Sequence, residues 1–193
     1  MRLIVAITGA SGVIYGKRLL EVLQNKKVET HLIISKAAEK IIEHELETTK
    51  KDIEKLARYV YSIDDLTAPV ASGSFRIDAM IIIPCSMKTL AGIAQGYSEN
   101  LILRVADVTL KEKRRLILVP RETPLNIVHL RNMLDLARQG VTIVPAMPAY
   151  YHGPKRINDI VDYVVGKVLD CLEIEHALFK RWSGSSFMNM HKT

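Results

Sequence analysis

The groups able to do chemistry cluster where all-apolar runs end. Leu3–Ile7 leads into Thr8-Gly9-Ala10-Ser11-Gly12, and Met80–Ile83 leads into Pro84-Cys85-Ser86-Met87-Lys88-Thr89. An apolar-periodic segment follows each turn, so each reads as a buried strand, a tight turn and a helix. Free amides at such a helix start are a ready site for phosphate, which makes the first turn a candidate phosphate cradle. Arg121 and Glu122 leave a third run, Leu116–Val119. The arginine fork matches two phosphate oxygens, and a neighbouring carboxyl serves as acid or base once its proton affinity is tuned. A further run ends in Val144–Tyr151, where two prolines and two tyrosines form a stiff wall with hydroxyls at its rim.

The first turn departs from the dinucleotide fingerprint, because Ser11 replaces the second glycine and Gly16 comes late. The second strand, Thr30–Ile34, ends in Ser35 and not in the acid that holds a ribose diol. A hydroxyl there suits a phosphate or a helix cap, so a mononucleotide is favoured. Taken singly, each feature has a structural reading. Ser86 serves as an N-cap, Cys85 as a buried filler, and Arg121 with Glu122 as an ion pair before the helix at Pro124.

These turns act together only if the elements bring them to one place. Apolar β-rich runs recur near 2–8, 28–34, 79–84, 115–119 and 141–145, with a weaker one at 58–62. Helical periods fill about 12–25, 36–46, 50–57, 86–96, 99–112, 124–139 and 155–182. Such alternation specifies an α/β fold whose parallel sheet is covered on both faces, in three layers. The carboxyl ends of its strands then share one crevice.

The 193 residues, 48% of them hydrophobic, suit one domain over 1–184, with an aperiodic tail at 185–193 read as mobile or as an inter-subunit arm. Two distant cysteines fit a reducing, cytoplasmic setting, and no apolar run approaches the roughly 18 residues of a membrane span. The six histidines lack metal-ligand spacing, so no metal is expected. The net charge of +6 does not mark a nucleic-acid binder: Glu112 interrupts the cluster Lys111, Lys113, Arg114 and Arg115, and no aromatic interleaves it. Small phosphorylated ligands account for the charge.

The motifs, in order, resemble the UbiX family of flavin prenyltransferases over residues 2–184. The likeness rests on Gly9–Gly12, Ser35-Lys36-Ala37-Ala38, Ser72-Gly73-Ser74-Phe75, Pro84–Thr89, Arg104–Val108, Leu110-Lys111-Glu112, Arg121–Leu125 and Met147–Tyr151. Val105 and Tyr150 stand where alanine and phenylalanine are usual. The resemblance implies a flavodoxin-like fold and a large homo-oligomer, typically a dodecamer, with sites at subunit interfaces. It implies metal-free transfer of the dimethylallyl group of dimethylallyl monophosphate to N5 and C6 of reduced FMN. The product, prenylated FMN, would serve UbiD-type decarboxylases, one of them in ubiquinone synthesis.

By the same resemblance, FMN is expected at Gly9, Ala10, Ser11, Ser35, Ser86, Met87, Lys88, Thr89 and Arg121. The prenyl phosphate is expected at Arg104, Lys111, Glu122, Tyr151 and Lys167, with Phe75 against the allylic chain and Glu45 near the dimethylallyl group. Ser11, Glu45, Lys111, Glu122 and Tyr151 form the expected catalytic set. A flavin-dependent cysteine decarboxylase is the rival enzyme, but its Pro-x-Met-Asn turn meets Pro148 here in place of asparagine. A non-catalytic FMN carrier is the other alternative.

Overall fold

The computed structural model describes residues 1–184. Six strands, β1 (Arg2–Ile7), β2 (Glu29–Ile34), β3 (Tyr59–Tyr61), β4 (Ala79–Cys85), β5 (Arg115–Pro120) and β6 (Thr142–Ile143), form one parallel sheet in the order β3-β2-β1-β4-β5-β6. The six-strand order is the Rossmann-like doubly wound one, and without the three-residue edge strand β3 it is the flavodoxin-like order that the family resemblance implies. The winding reverses between β1 and β4, which opens the crevice there.

Seven helices cover the sheet: α1 (Val13–Asn25), α2 (Lys36–Leu46), α3 (Lys50–Glu54), α4 (Met87–Ala94), α5 (Leu101–Lys111), α6 (Ile127–Arg138) and α7 (Ile157–Cys171). Alternate β1 residues face opposite layers. Leu3, Val5 and Ile7 join a core with Leu19, Leu23 and Val165 from α1 and α7, while Ile4 and Ala6 join Leu90 and Val105 from α4 and α5. Burial on both faces is why the central strands read as unbroken apolar runs.

The weak strand candidate at 58–62 forms β3, whereas the run at 141–145 contributes only Thr142–Ile143 to the sheet. The long helix expected over 155–182 stops at Cys171. Glu173 takes a φ of 59°, and the Ile174 amide bonds back to the Leu169 carbonyl at 3.0 Å. The chain then folds back, laying His176 and Phe179 over Gly166, while Ile174 and Leu178 pack on the core. The expected tail at 185–193 lies outside the described residues.

Candidate active site

Thr8 joins the two principal turns. It is 1% exposed, and its hydroxyl donates to the Pro84 carbonyl at 2.8 Å while accepting from the Ser86 amide at 2.8 Å. Its own amide also reaches Pro84 O, at 3.2 Å. The ends of β1 and β4 are therefore held together across the reversal point.

Beside this junction lies a cavity of about 440 Å³ lined by Gly9, Ser35, Lys36, Ala37, Ser86, Lys88, Thr89, Glu99 and Asn100, among others. Two helices begin on it. Ser35 caps α2 by accepting from Ala38 N at 3.1 Å, and Ser86 caps α4 by accepting from Thr89 N at 3.3 Å. Their first-turn amides and partial positive ends suit an anion, with the Lys88 cation and the Thr89 hydroxyl beside them. A Cβ on Gly9 would lie 2.5 Å from Ala37 Cβ, so the approach of the first turn to α2 requires glycine. The cavity thus fits the phosphate end of a mononucleotide.

The start of α1 differs from the sequence expectation. Its N-cap, Gly12, has no side chain to cap it, and Glu45 from α2 supplies the anion: Oε2 accepts from Gly12 N at 2.8 Å and Val13 N at 3.3 Å. A carboxylate of the chain already fills the place read as a phosphate cradle, and the open cavity lies at α2 and α4 instead. On the other side of the same peptide, Arg121 Nε donates to Ser11 O at 3.2 Å. Ser11 is exposed, whereas Ala10 and Met87 are buried at 7% and 8%.

Glu122 follows Arg121 at this carboxyl edge, exposed, with its carboxylate accepting from Thr123 N at 3.2 Å. Tyr151 leaves β6 at the same edge and sits edge-on to His152, Tyr163 and Trp182. Loss of solvent, and then the neighbouring Tyr163, push its phenol above the usual range, while the Lys167 charge opposes this. Lys167 lies near the end of α7, reaching Asp170 at 3.4 Å on the side towards the amino edge, where Arg115 at the start of β5 holds the Cys171 carbonyl, so it too stands away from the cavity. Cys85 is fully buried, and desolvation pushes its thiol far up, as a filler's would be.

One chain does not bring the remaining expected residues to this crevice. Helix α5 runs antiparallel to the strands, so Lys111 ends beside the amino edge of β5, paired with Glu112 next to Gly73. Arg104 lies two turns earlier, donating to Ala71 O at 3.2 Å and Asp107 at 2.9 Å. Phe75 packs against Arg2 and edge-on to His31, also towards the amino edge. Sequence reasoning missed Thr8, Glu99 and Asn100. Thr8 heads the first turn but received no role of its own, although a hydroxyl after five apolar residues was its signal.

The Flavoprotein family model matches residues 1–169. A flavin prenyltransferase UbiX from Methanocaldococcus jannaschii is 57% identical over 182 residues, covering 94% of this chain and 98% of its own. The dodecameric FMN-dependent UbiX-like decarboxylase of Escherichia coli O157:H7 superposes with a TM-score of 0.94 at 51% identity, covering 95% of this chain and 100% of that one. AnUbiX, solved with FMN and dimethylallyl pyrophosphate, gives a TM-score of 0.94 at 49% identity, covering 95% and 98%. The whole sheet and every turn of the crevice fall within the matched segment, and the chain belongs to the Flavoprotein family and, within it, to the UbiX flavin prenyltransferases.

Proposed function

We propose that the chain joins the dimethylallyl group of dimethylallyl monophosphate to N5 and C6 of reduced FMN, releasing phosphate without a metal and yielding prenylated FMN. The observation that carries this reading is the meeting of two helix N-termini at a mononucleotide-sized cavity, beside a peptide gripped by Arg121 and Glu45. The amides opening α2 and α4, with Ser35, Ser86, Lys88 and Thr89, hold the FMN phosphate. Gly9, Ala10, Ser11 and Met87 shape the wall beside the flavin, and Arg121 fixes its approach. When bound, reduced FMN supplies the electron-rich atoms that take the allylic carbon.

The chain's residues then manage a leaving phosphate. Arg104, Lys111 and Lys167 stabilise its growing negative charge, and Glu122 with Tyr151 hold its protons. Phe75 and Glu45 line the five-carbon group, Phe75 sheltering its positive charge from water. Ser11 orients and does not attack. Because Arg104, Lys111 and Phe75 lie away from Gly9 within one chain, the complete set meets only between neighbouring copies.

An apolar face of α6 that is exposed among the described residues supports such an assembly. Ile127 is 70% exposed, and Val128, Leu130 and Leu134 at least half so, on a helix whose inward side carries Asn132 and Leu136. A homo-oligomer, dodecameric like the Escherichia coli relative, is the assembly we infer. The product passes to a UbiD-type decarboxylase, with ubiquinone synthesis among its destinations. We infer that the enzyme works in the cytoplasm, a reducing setting that suits its two free cysteines, Cys85 and Cys171; no helix among the described residues is long and apolar enough to cross a membrane.

Replacing Glu122 by Gln tests the assigned proton chemistry. The variant is expected to bind FMN and dimethylallyl monophosphate like the parent, yet to release phosphate about 100-fold or more slowly. Full phosphate release by Glu122→Gln would remove the role given to that carboxyl.

A further inference from the structure

Two charged side chains from different elements converge on one peptide unit, and a tyrosine ring packs against it. The carbonyl of Ser11 and the amide of Gly12 belong to the same peptide, and Arg121 from beyond β5 holds the first while Glu45 from α2 holds the second. Among the described residues the two charged side chains form no ion pair with each other; Arg121 Nε and Glu45 Oε2 both go to the peptide. Gly12 has a φ of 99°, in the left-handed region. A Cβ added there would lie 2.8 Å from Tyr15 Cε2 and 2.9 Å from Cδ2, so the tyrosine ring lies flush against the Gly12 backbone. Tyr15 N also donates to Gly12 O at 3.0 Å, and the rest of the ring rests on the core beneath α1.

We propose that Tyr15 is a positioning residue for the flavin site, its ring being the wall that keeps the Ser11–Gly12 peptide in the orientation that both Arg121 and Glu45 can grip. The proposal rests on the flavin reading given above. Without the ring, Gly12 has room to rotate, the carbonyl of Ser11 turns from Arg121, and the guanidinium loses its fixed approach to the flavin. Burial pushes the Tyr15 phenol above its usual range, with Arg121 opposing and Glu45 and Tyr150 adding to the effect. Its hydroxyl thus feels the same two charges that hold the peptide. The wall itself is the ring, so the hydroxyl is dispensable to the positioning.

The test compares Tyr15→Phe and Tyr15→Ala with the parent full-length chain, with Tyr15→Leu as the substitute should the alanine variant not fold. FMN affinity is read by flavin fluorescence, and kcat and KM for dimethylallyl monophosphate by phosphate release. All are read well below each variant's thermal midpoint. Tyr15→Phe is expected within about 2-fold of the parent, whereas Tyr15→Ala weakens FMN binding about 10-fold and lowers kcat by about 10- to 100-fold, leaving KM nearly unchanged. Gly12→Ala should cost at least about 3-fold less affinity in the Tyr15→Ala background than in the parent, because the clashing ring is gone.

Parental affinity and kcat in Tyr15→Ala, with only a lower melting point, would overturn the proposal. So would equal losses in Tyr15→Phe and Tyr15→Ala, or strict additivity with Gly12→Ala. If the parent binds FMN but transfers nothing, the functional reading fails while the affinity comparison still decides the role of Tyr15.

Discussion

Thr8→Val removes one hydroxyl from the junction of the turns that follow β1 and β4 and keeps the shape of the side chain. Threonine is 1% exposed there, and its hydroxyl serves Pro84 O and Ser86 N, both at 2.8 Å. In the variant Pro84 O keeps the Thr8 amide at 3.2 Å, but the Ser86 amide loses this acceptor. A buried donor stripped of its partner costs about 1–3 kcal/mol, and the lost second bond adds about 0.5–1.5 kcal/mol. The sum, about 2–4 kcal/mol, lowers the melting temperature of a chain of this size by about 5–15 °C. Ser86 opens α4, so its displacement also moves the amides assigned to phosphate, and FMN affinity should fall about 10-fold. Thr8→Ser is the control, since it keeps both bonds and loses one buried methyl, at about 1 kcal/mol. Thermal unfolding followed by circular dichroism, with FMN titration by fluorescence, reads both effects. Should Thr8→Val match Thr8→Ser in melting point and affinity, the hydroxyl does not couple the turns.

Gly9→Ala would set a Cβ 2.5 Å from Ala37 Cβ, an overlap of about 1 Å that costs about 1–3 kcal/mol and parts the first turn from α2. Adding Ala37→Gly should restore most of the melting temperature and FMN affinity, and no rescue would contradict the close approach. Glu29 bonds to Arg2 and His31, which hold its carboxyl down from 4.5 to about 2. A depressed carboxylate stabilises the fold above its unfolded pKa, and that contribution is lost as pH falls from about 4.5 towards 2. Glu29→Gln should therefore flatten the acid loss of melting temperature in that window, and an unaltered acid limb would refute the assignment. Lys111→Ala and Arg121→Ala, each inactive alone, should regain transfer activity when co-assembled, because some mixed sites hold both native residues. A mixture no more active than its parts argues against a site shared between copies.

The central sheet was legible because β1 and β4 are buried on both faces and so carry unbroken aliphatic runs. Ser35 and Ser86 were legible too, since a hydroxyl directly after such a run is a helix cap wherever the next segment is helical. The end of α7 was not. Ile174 and Leu178 continue the apolar pattern, but they reach the core after Glu173 has turned the chain back. Pairings across elements were equally hidden. Glu45 lies 33 residues from Gly12, and no spacing rule says that its carboxylate, and not a ligand, fills the start of α1. The separation of Lys111 from Gly9 follows from the antiparallel course of α5, a direction visible only once the sheet order is known.

In the proposed reaction, positive groups brought together between neighbouring copies draw phosphate from a prenyl donor and leave its five-carbon group on the flavin. The decisive reading is the mass of the flavin recovered after anaerobic incubation of the full-length protein with reduced FMN and dimethylallyl monophosphate. A flavin heavier by one prenyl unit, formed with an equal amount of free phosphate and undiminished by a chelator, is the predicted result. Recovery of unaltered FMN from fully bound protein would contradict it.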